Sequence, residues 1–583
     1  MNPFDRRQLV AVARGDAQPD ILIQNVTLYN VLTATIDAVD IGILGNRIAF
    51  VIPAGTSGGE AGRVIDGHDL YAVPGFVDGH VHNESSMVTP AQWARVLLRR
   101  GTTTVFTDPH EIGNVMGLPG IRYMQAASQG LPMRYYITAP SCVPAVPSLE
   151  TAGATITHAE MRELLSWERV VAVAEAMDFP GLIYQGGNIT PISQVAHELG
   201  KGIEGHAPGV VGRMLQAYLA AAGPSASDHE SSLTNEMLEK VHSGMMVYAK
   251  SSTFVNDTTE IAAALKQVND TRMFGLCTDD IMPHHLLEHG HMNYGIQQLI
   301  ASGVPAMTAY QMATINVASH YRIPGLGGIA PGWLADIVLL RDIEQVQVEH
   351  VISDGRIVVN HGRLVVEIAE PVEPITENSV RIPSLSEQDF VFQPGGSGEM
   401  VFNGLNLASI FTMPATIKVT VQDGRVAFPL PEGVSLAAIV PRHNQGTRPS
   451  LALACGYALK EGAVASTVSH DSHNLAVIGR NPADMLAAAQ ELKRVGGGLT
   501  AVKNGAVLAT LPLPVAGLMN PSPVEEVAAQ LERYEACLPE IGLPKAFPSD
   551  LLALALPVVP MVRLTDRGLV DVATQKFIPQ TAA

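Results

Sequence analysis

Eight short apolar segments alternate with helix-patterned stretches between residues 73 and 330, and this alternation constrains the fold more than any other feature of the chain. They read YAVPGFVDGHVH (71–82), TTTVFTDPHE (102–111), RYYITAPSCV (134–143), VVAVAEAMD (170–178), GIEGHAP (202–208), ASDHE (226–230), MMVYAKSS (245–252) and MFGLCTDD (273–280). Strands joined through helices pair in parallel, and eight over about 270 residues match a closed (β/α)8 TIM-type barrel. The fold class expected is α/β.

What flanks this segment is different. DILIQNVTLYN and DIGILGNRIAFV near the N-terminus read as alternating strands, and ADIVLL (335–340) and VEHVISDGRIVVNHGRLV (348–365) have the same character. Asp354-Gly355 marks a hairpin. Residues 1–72 and 331–370 are therefore the two halves of a small flanking β-sandwich, with residues 73–330 inserted between them. After PVEPITEN (371–378), a proline-rich linker candidate, strands mix with a helical stretch ending in glycines, PADMLAAAQELKRVGGG, so residues 371–583 form an α+β C-terminal domain.

Composition narrows the function. With 47% hydrophobic and 16% charged residues the 583-residue chain is a packed globular protein. No apolar run reaches the roughly 18 residues of a membrane span, and the first residues lack a signal-peptide layout, so a cytoplasmic location without membrane partners is expected. A formal charge of −19 opposes nucleic-acid binding and favours a small-molecule substrate. Cys142, Cys277, Cys455 and Cys537 form no CxxC pair, so neither a disulfide framework nor a cysteine-rich zinc site is indicated.

Polar residues stand at the ends of five of the strands, where barrels of this type place their chemistry. His80 and His82 end the first, Glu175 the fourth, His206 the fifth, His229 the sixth and Asp279 the eighth. Alone, each has a plainer reading: a chance His-x-His among 19 histidines, a solvated carboxylate, helix-capping imidazoles. Together they suit two divalent ions a few ångströms apart with a bridging carboxylate.

The motifs PGFVDGHVH, GHAPG (205–209), SDHE (227–230), CTDD (277–280) and GGIAPGWLADIVLL (327–340) resemble the amidohydrolase superfamily. Within it, ESSMVTP (84–90), DPHEIGNVMG (108–117), SCVPA (141–145), EAMDFPG (175–181) and SHDSHN (469–474) are similar to the bacterial adenine deaminases, over nearly the whole chain. The resemblance implies hydrolytic deamination of adenine to hypoxanthine and ammonia by a metal-activated water, in purine salvage, by a homo-oligomer. It implies that His80, His82 and Asp279 bind one ion, His206 and His229 the other, with Glu175 bridging. Manganese or ferrous iron is the implied metal; the all-N/O ligand set also accepts zinc.

Asp279 is the candidate proton acceptor and Asp280 either a purine contact or a helix N-cap. His110 and Glu111, at the end of the second strand, face the same rim and grip the base or relay a proton, while Glu84 and Ser85 line the pocket. SHDSHN, with His470 and His473 beside Asp471, covers the barrel mouth, binds an additional ion or is a polar turn. HAE (158–160) lacks the P-C-x-x-C of other zinc deaminases, HLLEH (285–289) fits a protease signature by chance, and VGGGLTAVKNG (495–505) is no phosphate loop. Two positions depart from the resemblance: Asn83, where an apolar residue is usual, and Lys250, near which an arginine is. The alternatives are the same chemistry on an N6-substituted purine or another cyclic amidine or amide, and, in another class, a catalytically silent metal-binding or assembly protein.

Overall fold

A computed structural model describes residues 6–58, 60–375, 377–408, 412–546, 549–559 and 561–581. Thr376 of the linker candidate lies outside them.

All eight barrel segments form strands, each shorter at its C-terminal end than the apolar run suggested. Phe76–Val81, Thr102–Thr107, Arg134–Ala139, Val170–Ala176 and Gly202–Gly205 make one parallel sheet; Ser227–Asp228, Met246–Lys250 and Phe274–Cys277 make a second. One face of each strand meets the barrel interior and the other the surrounding helices, which is why strands such as TTTVFT are buried throughout. The two sheets close on each other at both seams. Asp279 N donates to His80 O at 3.0 Å and His82 N to Asp279 O at 3.0 Å, joining the eighth strand to the first. Between the fifth and sixth, Gly205 N donates to Ser227 Oγ at 3.2 Å, and a Cβ on Gly205 would lie 2.0 Å from Ser227 O. Only glycine permits that approach.

The segment read as one strand over 71–82 divides at Gly75. Tyr71–Pro74 belongs to the flanking unit, where it pairs in parallel with Ile21–Asn30 and antiparallel with Ile337–Leu340, so the N- and C-terminal halves meet in one nine-stranded sheet. The hairpin at Asp354-Gly355 has φ of +49° and +73°, the type I′ geometry that Asp-Gly favours. Asp354 and Asp336 accept from Arg134 at 2.8 and 2.7 Å, fastening this sheet to the third barrel strand.

A second nine-stranded sheet, antiparallel except where Gly398–Asn406 meets Ser450–Cys455, forms the C-terminal domain. Helix Pro482–Val495 packs on it, capped by the Asn481 side chain, opened by proline and ended at Gly496 with φ +87°. The glycine-rich stretch there is thus a helix stop. One hydrophobic cluster runs from the barrel into this domain. Asn474 Nδ2 donates to Thr151 O at 2.8 Å and Thr565 Oγ1 to Leu149 O at 2.6 Å, which holds the 467–474 loop over the barrel's C-terminal rim. No helix among the described residues is long and apolar enough to cross a membrane.

Behind the fifth and sixth strands, Lys240 is fully buried and donates to Ala207 O at 2.7 Å, Ser231 Oγ at 2.9 Å, Asp228 Oδ2 at 3.0 Å and Glu236 Oε1 at 2.6 Å. Removing one partner of a buried ion network strands the others. Lys240→Met is expected to cost about 3–5 kcal/mol of stability, read as a lowered denaturant midpoint at unchanged slope.

Candidate active site

Glu175, at the end of the fourth strand, is the centre of the rim. Its Oε1 lies 3.7 Å from His80 Nε2, 3.4 Å from His82 Nε2 and 3.4 Å from His110 Nδ1, whereas its Oε2 lies 2.8 Å from His206 Nδ1 and 3.4 Å from His229 Nε2. Asp279 Oδ1 stands 3.4 Å from His80 Nε2 and 3.3 Å from His82 Nε2. All six residues expected as ligands are therefore brought together, and all six are buried.

Their placement follows from the chain. His80 and His82, two apart, share one face at the strand end. Asp279 reaches inward from a left-handed backbone with φ +58°, a conformation that Asp and Asn tolerate better than other non-glycine residues, and its peptide forms the closing seam. His82 Nδ1 donates to Asp108 O at 3.0 Å, which leaves Nε2 with its lone pair facing His80 Nε2 only 3.2 Å away. Two ring nitrogens that close, with Glu175 Oε1 lacking any hydrogen-bond donor, fit a cation between them. The arrangement can hold divalent cations.

Charge in the cluster is balanced locally. Burial would raise Asp279, but Lys250, with Nζ 3.3 Å from Oδ2, and the two imidazoles hold its carboxyl well below the usual range. Burial would likewise depress Lys250, yet Glu230 and Asp279 hold the ammonium well above its ordinary value.

The centre opens on a cavity of about 360 Å³. His110, Lys250, Asp280, His470 and Asp471 supply polar wall, and Phe254, Leu552 and Leu556 apolar wall. The SHDSHN loop thus covers the barrel mouth, and its His470 and Asp471 enter the site. Asp280 is no helix cap, because the next helix is Pro283–Glu288 with Met282 preceding it. Glu84, Ser85 and Glu111 stand one layer behind. Ser85 Oγ bonds Asp280 Oδ1 and donates to Glu111 Oε1 at 3.2 Å, and Glu84 Oε1 accepts from Ile112 N at 3.2 Å. Burial pushes both glutamic acids up, Glu84 the more so for having Glu111 beside it.

His110 and Glu111 open helix His110–Met116, just beyond the second strand. Asn83 is fully buried, donating to Val88 O at 2.8 Å and accepting from Tyr135 Oη at 3.4 Å, so its side chain is engaged in the scaffold and does not line the cavity. Lys250 does line it. HAE is the start of helix His158–Leu164, with Glu160 completing a capping box on Thr157. Sequence reasoning passed over Asp108, whose Oδ2 accepts from His110 Nδ1 at 3.0 Å, and Glu230, the partner of Lys250. Asp108 follows its strand directly and Glu230 stands two residues past its own, beside His229.

The amidohydrolase family model matches residues 71–358, and the adenine deaminase C-terminal domain model matches residues 409–576. "Adenine deaminase 2" of Carboxydothermus hydrogenoformans is 38% identical over 98% of this chain and 99% of its own. Adenine deaminases of Desulfatibacillum aliphaticivorans, 37% identical over 98% and 99%, and Moorella thermoacetica, 39% identical over 98% and 97%, are similar to it throughout.

Proposed function

Because the chain belongs to the adenine deaminase family of the amidohydrolases, we propose that it hydrolyses adenine to hypoxanthine and ammonia for purine salvage, at the centre built around Glu175. The observation that carries this reading is the complete set of six N/O donors opening on a small cavity that a second domain closes. An intact donor set beside Lys250 and Asp280 speaks against a silent assembly protein.

His80, His82 and Asp279 would hold one divalent ion and His206 and His229 the other, with Glu175 turning one oxygen toward each group of residues. Manganese or ferrous iron is the proposed metal. When bound, such ions lower the pKa of water so that hydroxide is available near neutral pH. Asp279, ionised and touching both histidines, accepts the proton of the water that attacks C6 of the ring and passes it toward N1 or the departing amine. Lys250 keeps that carboxylate ionised beforehand.

Asp280 bonds the purine edge, held in place by Ser85, which Glu111 contacts from behind. His110, its ring fixed by Asp108, forms polar wall on the second-strand side. Phe254, Leu552 and Leu556 cover the ring faces and exclude water, which strengthens every charge interaction inside. At the small end of the roughly 300–1,000 Å³ usual for ligand sites, the cavity suits a free base.

Ammonia release from adenine, adenosine and N6-methyladenine, with metal assayed alongside, tests the assignment. Adenine alone should turn over. Activity on the N6-substituted ring only would retain the metal centre and reassign the pocket, and no turnover by fully metallated protein would overturn the enzyme reading. Asp280→Ala is expected to lower kcat/KM for adenine by about 100-fold or more at unchanged metal content, measured by steady-state kinetics.

A further inference from the structure

Beside the centre lies a second group of donors that shares none of its six residues. We propose that His110, Cys142 and Asp471 hold a third transition-metal dication, of the kind that accepts thiolate, zinc foremost.

The three ligand atoms lie within 4.8 Å of one another, with His110 Nε2 3.6 Å from Asp471 Oδ1. That separation is too long for a hydrogen bond. It is close to the about 3.3–3.6 Å expected between two atoms each bonded to one tetrahedral zinc. The residues are 1%, 3% and 0% exposed. His110 Nε2 and both oxygens of Asp471 have no hydrogen-bond partner. A buried carboxylate with neither oxygen satisfied is what native proteins avoid unless something absent from the chain itself binds there.

The surroundings are built for ligation. The other nitrogen of His110 donates to Asp108 Oδ2 at 3.0 Å, the carboxylate–histidine arrangement that fixes a ligating ring and raises its basicity. Asn114 Nδ2 donates to both His110 O and Cys142 O at 3.0 Å, clamping the two ligand-bearing backbones together. Three protein donors leave the fourth position open, toward the cavity that His110 and Asp471 both line. His470 Nδ1, 3.7 Å from Asp471 Oδ1, is the nearest competing cation. Two donors come from the barrel and one from the C-terminal domain, so the ion also fastens the domains across the site.

Sulfur separates this site from its neighbour, whose donors are all nitrogen and oxygen. Full-length protein is stripped with chelator and titrated with cobalt(II), following metal content and the near-ultraviolet thiolate-to-cobalt charge-transfer band. About three ions per chain and a band that Cys142→Ser abolishes, together with one ion, are expected. Asp471→Asn should also lose one ion, and the two ions remaining in each variant show that the barrel is folded. Binding that stops at about two ions with no band overturns the proposal, as does a band that survives in Cys142→Ser.

Discussion

Asp279→Asn is expected to lower turnover of adenine by about a thousandfold or more. Asparagine keeps the shape of the side chain and tolerates the left-handed backbone at this position, so the seam peptide bonds to His80 and His82 survive. What disappears is the charge that faces two imidazoles and Lys250, and with it the proton acceptor. Steady-state kinetics with parallel metal analysis checks this; activity within about tenfold of wild type would remove Asp279 from the chemistry.

Glu175→Gln should be as damaging for a different reason. A single residue faces both halves of the centre, and an amide in its place presents one oxygen and one NH2 group that repels a cation. Affinity should fall by more than the roughly 10–100-fold that the loss of an outer partner costs, for both ions together. Metal retained after dialysis against a graded chelator is the measurement. Loss of one ion with the other held normally would show that Glu175 serves only one.

The barrel was readable because its strands are buried on both faces and stand out as apolar runs, and the ligands because each stands in the last residues of its run or within two residues past it. The same signal misplaced the strand ends: residues such as His82, Glu230 and Asp279 continue the run in sequence but turn along the rim in space. Gly75 was hidden because YAVP and FVDGHV are both apolar, and only pairing assigns them to different sheets. For SHDSHN, and so for Asp471, a place over the barrel mouth was one of three open readings, whereas the apolar Leu552 and Leu556 were not legible as pocket wall, since nothing local records that their segment docks there. Cys142 gave no metal signal because its partners come from elements about 30 and 330 residues away in sequence, far outside any cysteine spacing rule.

The cover over the cavity has a consequence in time. The eighth barrel strand is complete at Cys277, whereas the SHDSHN loop begins at Ser469, about 190 residues later in synthesis, or roughly 10–40 s at ribosomal rates. During that interval the growing chain presents its histidines to the surrounding solution with no lid, and the metal then available to the cell competes for them. Once the C-terminal domain docks, the candidate ligands are buried beneath the loop, so an ion bound before closure is expected to leave slowly afterwards. Protein refolded in one metal and afterwards exposed to another should exchange slowly, and rapid exchange through the closed cavity would remove this account.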